Sequence, residues 1–81
     1  MRIHFSPKFK ANLHNFPKEI REKFYKQAEY LLIDIRHPSL RAKKYNASRG
    51  IWQGRVDKNI RFYFLIEGDI YFLLDIKKHS K

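Results

Sequence analysis

Between Trp52 and Ile76 three runs of even-numbered positions carry apolar residues or glycine: Trp52, Gly54 and Val56, then Ile60, Phe62, Phe64 and Ile66, then Ile70, Phe72, Leu74 and Ile76. A period of two is what a strand with one buried face requires. The turn-prone triplets Asp57-Lys58-Asn59 and Glu67-Gly68-Asp69 divide the run, so it predicts three strands joined as an antiparallel meander. Even residues then face a core. Odd residues face away from it: Gln53, Arg55, Asp57, Arg61, Tyr63, Leu65, Tyr71, Leu73, Asp75, Lys77 and His79. Leu40 to Tyr45 reads as a further strand whose apolar residues break parity.

Upstream, the period changes. Ile3 and Phe5 alternate with Arg2 and His4, a short strand, and Ser6-Pro7 is an N-cap followed by a first-turn proline. Phe9, Leu13 and Phe16 recur at helical spacing, and Pro17 restarts the chain. Ile20, Phe24, Ala28, Leu31 and Ile35 then form one amphipathic stripe of about five turns. His37-Pro38-Ser39 ends it, because a residue before proline avoids helical angles. The expected architecture is α+β in the order β-α-α-β-β-β-β, with two N-terminal helices on one face of a small antiparallel sheet. At 81 residues the chain is one domain, residues 1–81, with room for a single core.

Lys and Arg number 18 against 8 Asp and Glu, a net charge of 18 − 8 = +10 and a pI near 10.1. Such a surface calls for a polyanionic or acidic partner. Cores of this size typically leave about 3 to 5 kcal/mol of net stability, which excess like charge lowers further, so a stabilising acidic protein partner is expected. The chain contains no cysteine, which excludes disulfides, thiolate nucleophiles and zinc–thiolate sites. The apolar stretches Phe62 to Ile66 and Ile70 to Leu74 fall far short of the roughly 18 residues of a membrane span. With no signal-peptide pattern either, a soluble cytoplasmic chain is expected. No histidine pair has metal-ligand spacing on one helix face, and no cofactor is expected.

The outward face concentrates the chemistry. If Val56 pairs with Ile60, Arg55 falls opposite Arg61, and like charges directly opposed across a sheet are destabilising unless an anion lies between them. The guanidiniums either grip a phosphate, for which arginine is suited, or splay into water and toward Asp57 and Asp75. Tyr63 beside them either stacks on a base or packs against Leu65 and Leu73. Arg41, Lys43, Lys44 and Arg49 form a second basic cluster, a solvated edge or a phosphate-backbone contact, and Trp52 has core parity. His79 ends the last strand on the odd face, as a tail residue or as a group able to exchange protons near neutral pH. In flat register, with Ile66 opposite Ile70, Asp75 faces Arg61 and His79 lies about 13 Å beyond. A joint site then needs strong twist or a tail that bends back.

The succession strand, helix, Phe16-Pro17, long helix and His37-Pro38-Ser39-Leu40-Arg41 continues into Gly50-Ile51-Trp52-Gln53-Gly54-Arg55-Val56 and Asn59-Ile60-Arg61-Phe62-Tyr63-Phe64. It closes with Ile76-Lys77-Lys78-His79. Over essentially the whole chain this resembles the RelE/ParE superfamily of type II toxin-antitoxin toxins, in its RelE/YoeB-like branch. The resemblance implies a metal-independent endoribonuclease that cleaves mRNA, in many members on the ribosome, and that a cognate acidic antitoxin neutralises. By position, Arg61 matches the strand arginine that contacts the scissile phosphate, His79 the C-terminal position held by histidine or arginine, and Arg55 a basic residue on the preceding strand. Gln53 stands where some members carry lysine, and no residue matches the glutamate that others use as general base. Lys43, Lys44, Lys77 and Lys78 would hold flanking phosphates. The resemblance also admits a ParE-like inhibitor of DNA gyrase, and the composition alone admits a noncatalytic basic binding module.

Overall fold

Ser6 opens the first helix as its sequence predicts. In the computed structural model, which describes residues 1–79, its hydroxyl accepts the Phe9 N–H at 3.0 Å and Pro7 begins the first turn. The elements run β1 (Arg2–Phe5), α1 (Pro7–His14), α2 (Lys18–Ile33), a 3-10 turn (Pro38–Leu40), β2 (Lys43–Asn46), a second 3-10 turn (Ala47–Arg49), β3 (Ile51–Arg55), β4 (Ile60–Glu67) and β5 (Ile70–Lys78). The Arg21 guanidinium fixes the corner between the helices by donating to the Phe16 carbonyl at 2.6 Å. The second helix stops at Ile33, short of the expected Ile35. Extended Asp34 follows, its carboxylate accepting the Arg36 N–H, and Ile35 reaches the core from the turn beyond.

The strands form one sheet in the order β1-β5-β4-β3-β2, with the helices on one face. Phe9, Phe24, Leu31 and Leu40 meet Phe62, Phe64, Leu73 and Ile76 in a fully buried core. Edge-to-face contact between Phe24 and Phe62 (5.6 Å between centroids) joins helix to sheet. Gly54, opposite Phe62, is required by that ring, because a Cβ there would collide with it. The sheet is mixed rather than wholly antiparallel, since β1 runs parallel to β5 with Ile3 beside Tyr71. A strand joined through helices is free of the antiparallel pairing that a hairpin imposes.

Parity holds in β3 and in most of β4, and fails in the first half of β5. Tyr71 and Leu73, expected to face outward, are buried, whereas Ile70, Phe72 and Leu74 are only half-buried and Ile66 is exposed. The cause is a bulge. Phe64 pairs with Leu73 but Tyr63 pairs with Asp75, so Leu74 has no partner and every side chain before it changes face. The Glu67–Ile70 hairpin also closes on two residues, Gly68 (φ 56°) and Asp69, instead of three. One residue from the turn and one from the bulge shift the register by two. Lys77, not Asp75, therefore faces Arg61, which brings His79 to about 7 Å beyond that pair along the strand. The His79 N–H donates to the Asn59 carbonyl at 2.6 Å, so the residue that follows β5 is tied to the β3–β4 turn.

Candidate functional site

Arg55 and Arg61 stand opposite each other on the uncovered sheet face, and Lys77 continues the row on β5. The turn at Asp57 decides where the two guanidiniums go. Its carboxylate accepts the N–H groups of Asn59 (2.9 Å) and Ile60 (3.0 Å) and faces Lys23 at 3.8 Å, so it is committed to the turn and to α2. Its carbonyl oxygen is left pointing at the arginines and accepts from Arg55 Nε (3.2 Å) and Arg61 Nη1 (2.7 Å). The Ile60 carbonyl takes a further bond from Arg61 Nη1 at 3.2 Å. Main-chain dipoles thus hold both heads in place without cancelling their charge.

Neither arginine meets a carboxylate among the described residues. Among the described residues the ion pairs are Arg2–Asp69, Lys8–Asp75 and Lys23–Asp57. Asp75 turns toward α1, where Asn12 Nδ2 donates to it at 2.6 Å, so it does not neutralise the row. Both nitrogen ends of Arg55 beyond Nε, and Nε and Nη2 of Arg61, have no hydrogen-bond partner among the described residues. They line a cleft of about 330 Å³ with Arg41, Lys43 and Gln53. Four cations around an open hollow form a site for a polyanion.

Two features that position residues of this cleft have no local sequence signal. Gln27 on α2 is buried, and its Nε2 donates to the carbonyls of Arg55 (2.7 Å) and Ser39 (3.0 Å), while its Oε1 accepts from the Ser39 hydroxyl (3.2 Å). One amide therefore locks the end of β3 to the Pro38–Leu40 turn. Arg41, which follows that turn, adopts the left-handed conformation (φ 46°, ψ 42°). An L-residue there costs roughly 1 to 2 kcal/mol, and the strain turns the chain so that Arg41 lines the cleft beside Arg55.

A second hollow of about 200 Å³ adjoins the first, lined by Tyr45, Tyr63, Lys77, Lys78 and His79. Tyr63 faces outward as its parity predicts, but it is covered: the Tyr45 ring meets it edge-on at 4.8 Å and Lys77 Nζ lies 5.2 Å from its ring centre. Burial, followed by the neighbouring Tyr45, raises the Tyr63 phenol above its ordinary value, with Arg61 opposing. Its hydroxyl is a protonated donor at neutral pH.

The expected residues therefore divide. Arg41, Lys43, Gln53, Arg55 and Arg61 share the cleft, and Tyr63, Lys77, Lys78 and His79 share the neighbouring hollow. Lys44 lies on the opposite side of β2 from Lys43, its ammonium 5.1 Å from the Trp52 ring, and exposed Arg49 lines neither hollow. Tyr45 is the residue that sequence reasoning placed on no site.

No family model matches the chain, and no curated protein does either. Solved structures do. The chain is similar to a YoeB/ParE toxin from Agrobacterium tumefaciens with a TM-score of 0.82 at 12% identity, covering 99% of this chain and 100% of that one. It is also similar to a chain of the RelB-RelE antitoxin-toxin complex from Methanococcus jannaschii (TM-score 0.70, 17% identity, 91% and 87% covered). A copper-bound mutant toxin from Helicobacter pylori aligns with a TM-score of 0.65 at 11% identity over 98% and 94% of the two chains. The backbone thus superposes over nearly full length where few side chains are shared, and the chain has the fold of these YoeB/ParE and RelE toxin structures.

Proposed function

We propose that this protein is the toxin of a toxin-antitoxin pair, an endoribonuclease that cleaves mRNA at the ribosome in the cytoplasm and that an acidic antitoxin restrains. The observation that carries this reading is the opposed pair Arg55 and Arg61, held by the Asp57 carbonyl in an open cleft and paired with no carboxylate among the described residues. Phosphodiester cleavage by the 2′-hydroxyl forms a bond from O2′ to phosphorus and breaks the bond to O5′. It needs stabilisation of the charge on the phosphorane, removal of the 2′ proton and a proton for the leaving oxygen. Arg61 and Arg55 serve the first need, and His79, exposed in the adjoining hollow, serves one of the proton transfers. Lys43, Lys77 and Lys78 hold the flanking backbone. Fold similarity to a chain from an antitoxin-toxin complex, together with the +10 charge, supports the acidic partner.

Purified protein incubated with RNA, alone and with translating ribosomes, is expected to give fragments ending in 2′,3′-cyclic phosphate. His79→Ala is expected to bind RNA normally and cleave poorly. One observation favours a second reading, a toxin that blocks DNA gyrase through protein contacts: His79 and Arg61 line different hollows. Intact RNA together with inhibited supercoiling would select it.

A further inference from the structure

We propose that Tyr45 is a base-stacking platform, and that the hollow it forms with Tyr63, Lys77, Lys78 and His79 receives one nucleobase of the strand whose phosphate lies between Arg55 and Arg61. The inference rests on the RNA reading above and adds a specificity-determining subsite to it. Tyr45 is the unpaired residue of a bulge: Lys44 pairs with Trp52 and Asn46 with Ile51, and Tyr45 is skipped. Bulges re-aim side chains, often beside active sites. Here the ring reaches across the open face to Tyr63, edge-on with an interplanar angle of 62°, while 56% of the residue stays exposed.

The division of labour between the two tyrosines supports the assignment. Tyr63 is buried, whereas Tyr45 rests against its ring edge-on with much of its own surface open to solvent. Of the exposed large apolar side chains, Met1, Tyr25, Leu32, Ile33, Tyr45 and Ile66, Tyr45 is the one that lines a hollow beside the arginines. Lys77 and Lys78 border that hollow, so a base entering it keeps its phosphate within a cationic field. Tyr63 stands two residues from Arg61 on the same strand face, about 7 Å at strand rise, which is the scale of one nucleotide. Aromatic stacking tolerates every base, so the subsite selects an unpaired nucleotide over a duplex rather than one sequence.

The test is fluorescence anisotropy with a labelled, uncleavable 2′-O-methyl RNA hexanucleotide and a set carrying one abasic position each. Tyr45→Ala is expected to weaken binding about 5- to 150-fold, and Tyr45→Trp to retain it. One abasic oligonucleotide should reproduce the loss with wild-type protein and bind the Tyr45→Ala variant no worse than intact RNA does. Unchanged affinity of Tyr45→Ala, with wild type binding normally, overturns the subsite alone. So does an equal further loss with every abasic oligonucleotide, which would mark Tyr45 as a contact of another kind. Failure of wild type to bind any of the RNAs overturns the function reading with it.

Discussion

The two ends of the uncovered sheet face are built from the same strands and solve the same problem in opposite ways. At one end Leu65, Phe72 and His4 form a row across β4, β5 and β1, followed by Glu67, Ile70 and Arg2. Apolar groups there are half-buried against one another, His4 lies 5.4 Å from the Phe72 ring, and Arg2 faces Asp69 at 3.8 Å. At the other end Arg55, Arg61 and Lys77 stand in one row, with the available acids turned elsewhere. The first end is how an ordinary surface satisfies itself. The second retains unrelieved repulsion in a chain small enough to feel it, and local conflict of this kind marks places kept for something other than stability.

The sharpest way to break this contrast is to remove one cation from each end. Arg61→Ala is expected to lower RNA cleavage by about 10²- to 10³-fold, the scale of losing one donor to a developing oxyanion, while its thermal midpoint stays level or rises. Arg2→Ala is expected to change cleavage by less than about twofold, since surface ion pairs contribute at most about 1 kcal/mol. Equal losses in a single-turnover assay would erase the distinction between the ends. Next in size is the platform under the cationic end. Gly54→Ala drives a methyl into the Phe62 ring and is expected to cost about 1 to 3 kcal/mol. Thermal melting should register this as roughly 4 to 8 °C per kcal/mol. The smallest effect separates strain from binding. Arg41→Gly removes both the left-handed penalty and one cleft cation, so stability in denaturant titrations should move by less than about 0.5 kcal/mol. The slope of log K for RNA against log salt should fall by about 1.

Much of the fold is legible in the sequence because local chemistry and tertiary placement agree. Ser6-Pro7 caps α1, the Phe24 stripe is buried, and Val56 meets Ile60, which by itself sets Arg55 against Arg61. The misreadings occur where the pattern has no phase. Ile70, Tyr71, Phe72, Leu73 and Leu74 are apolar or aromatic at every position, so alternation cannot say which parity is buried or where a residue is skipped. Lys43, Lys44, Tyr45 and Asn46 have no buried set either, which hides the bulge at Tyr45. Gln27 sits inside the helical stripe, and its partners Ser39 and Arg55 lie 12 and 28 residues away. No short window of sequence contains that interaction. The parallel placement of β1 is likewise a matter of long-range pairing, beyond what strand patterning encodes.

The central claim, that Arg55 and Arg61 are an unneutralised pair awaiting a phosphate, is tested most directly by unfolding the wild type and Arg55→Ala in phosphate and in chloride at matched ionic strength. Phosphate is expected to raise the wild-type midpoint through binding linkage. Arg55→Ala is expected to be the more stable protein in chloride, by a few tenths to about 1 kcal/mol, and to gain little from phosphate. A wild type indifferent to phosphate, with Arg55→Ala less stable in both salts, would show the row to be a structural element of the fold and would contradict the claim.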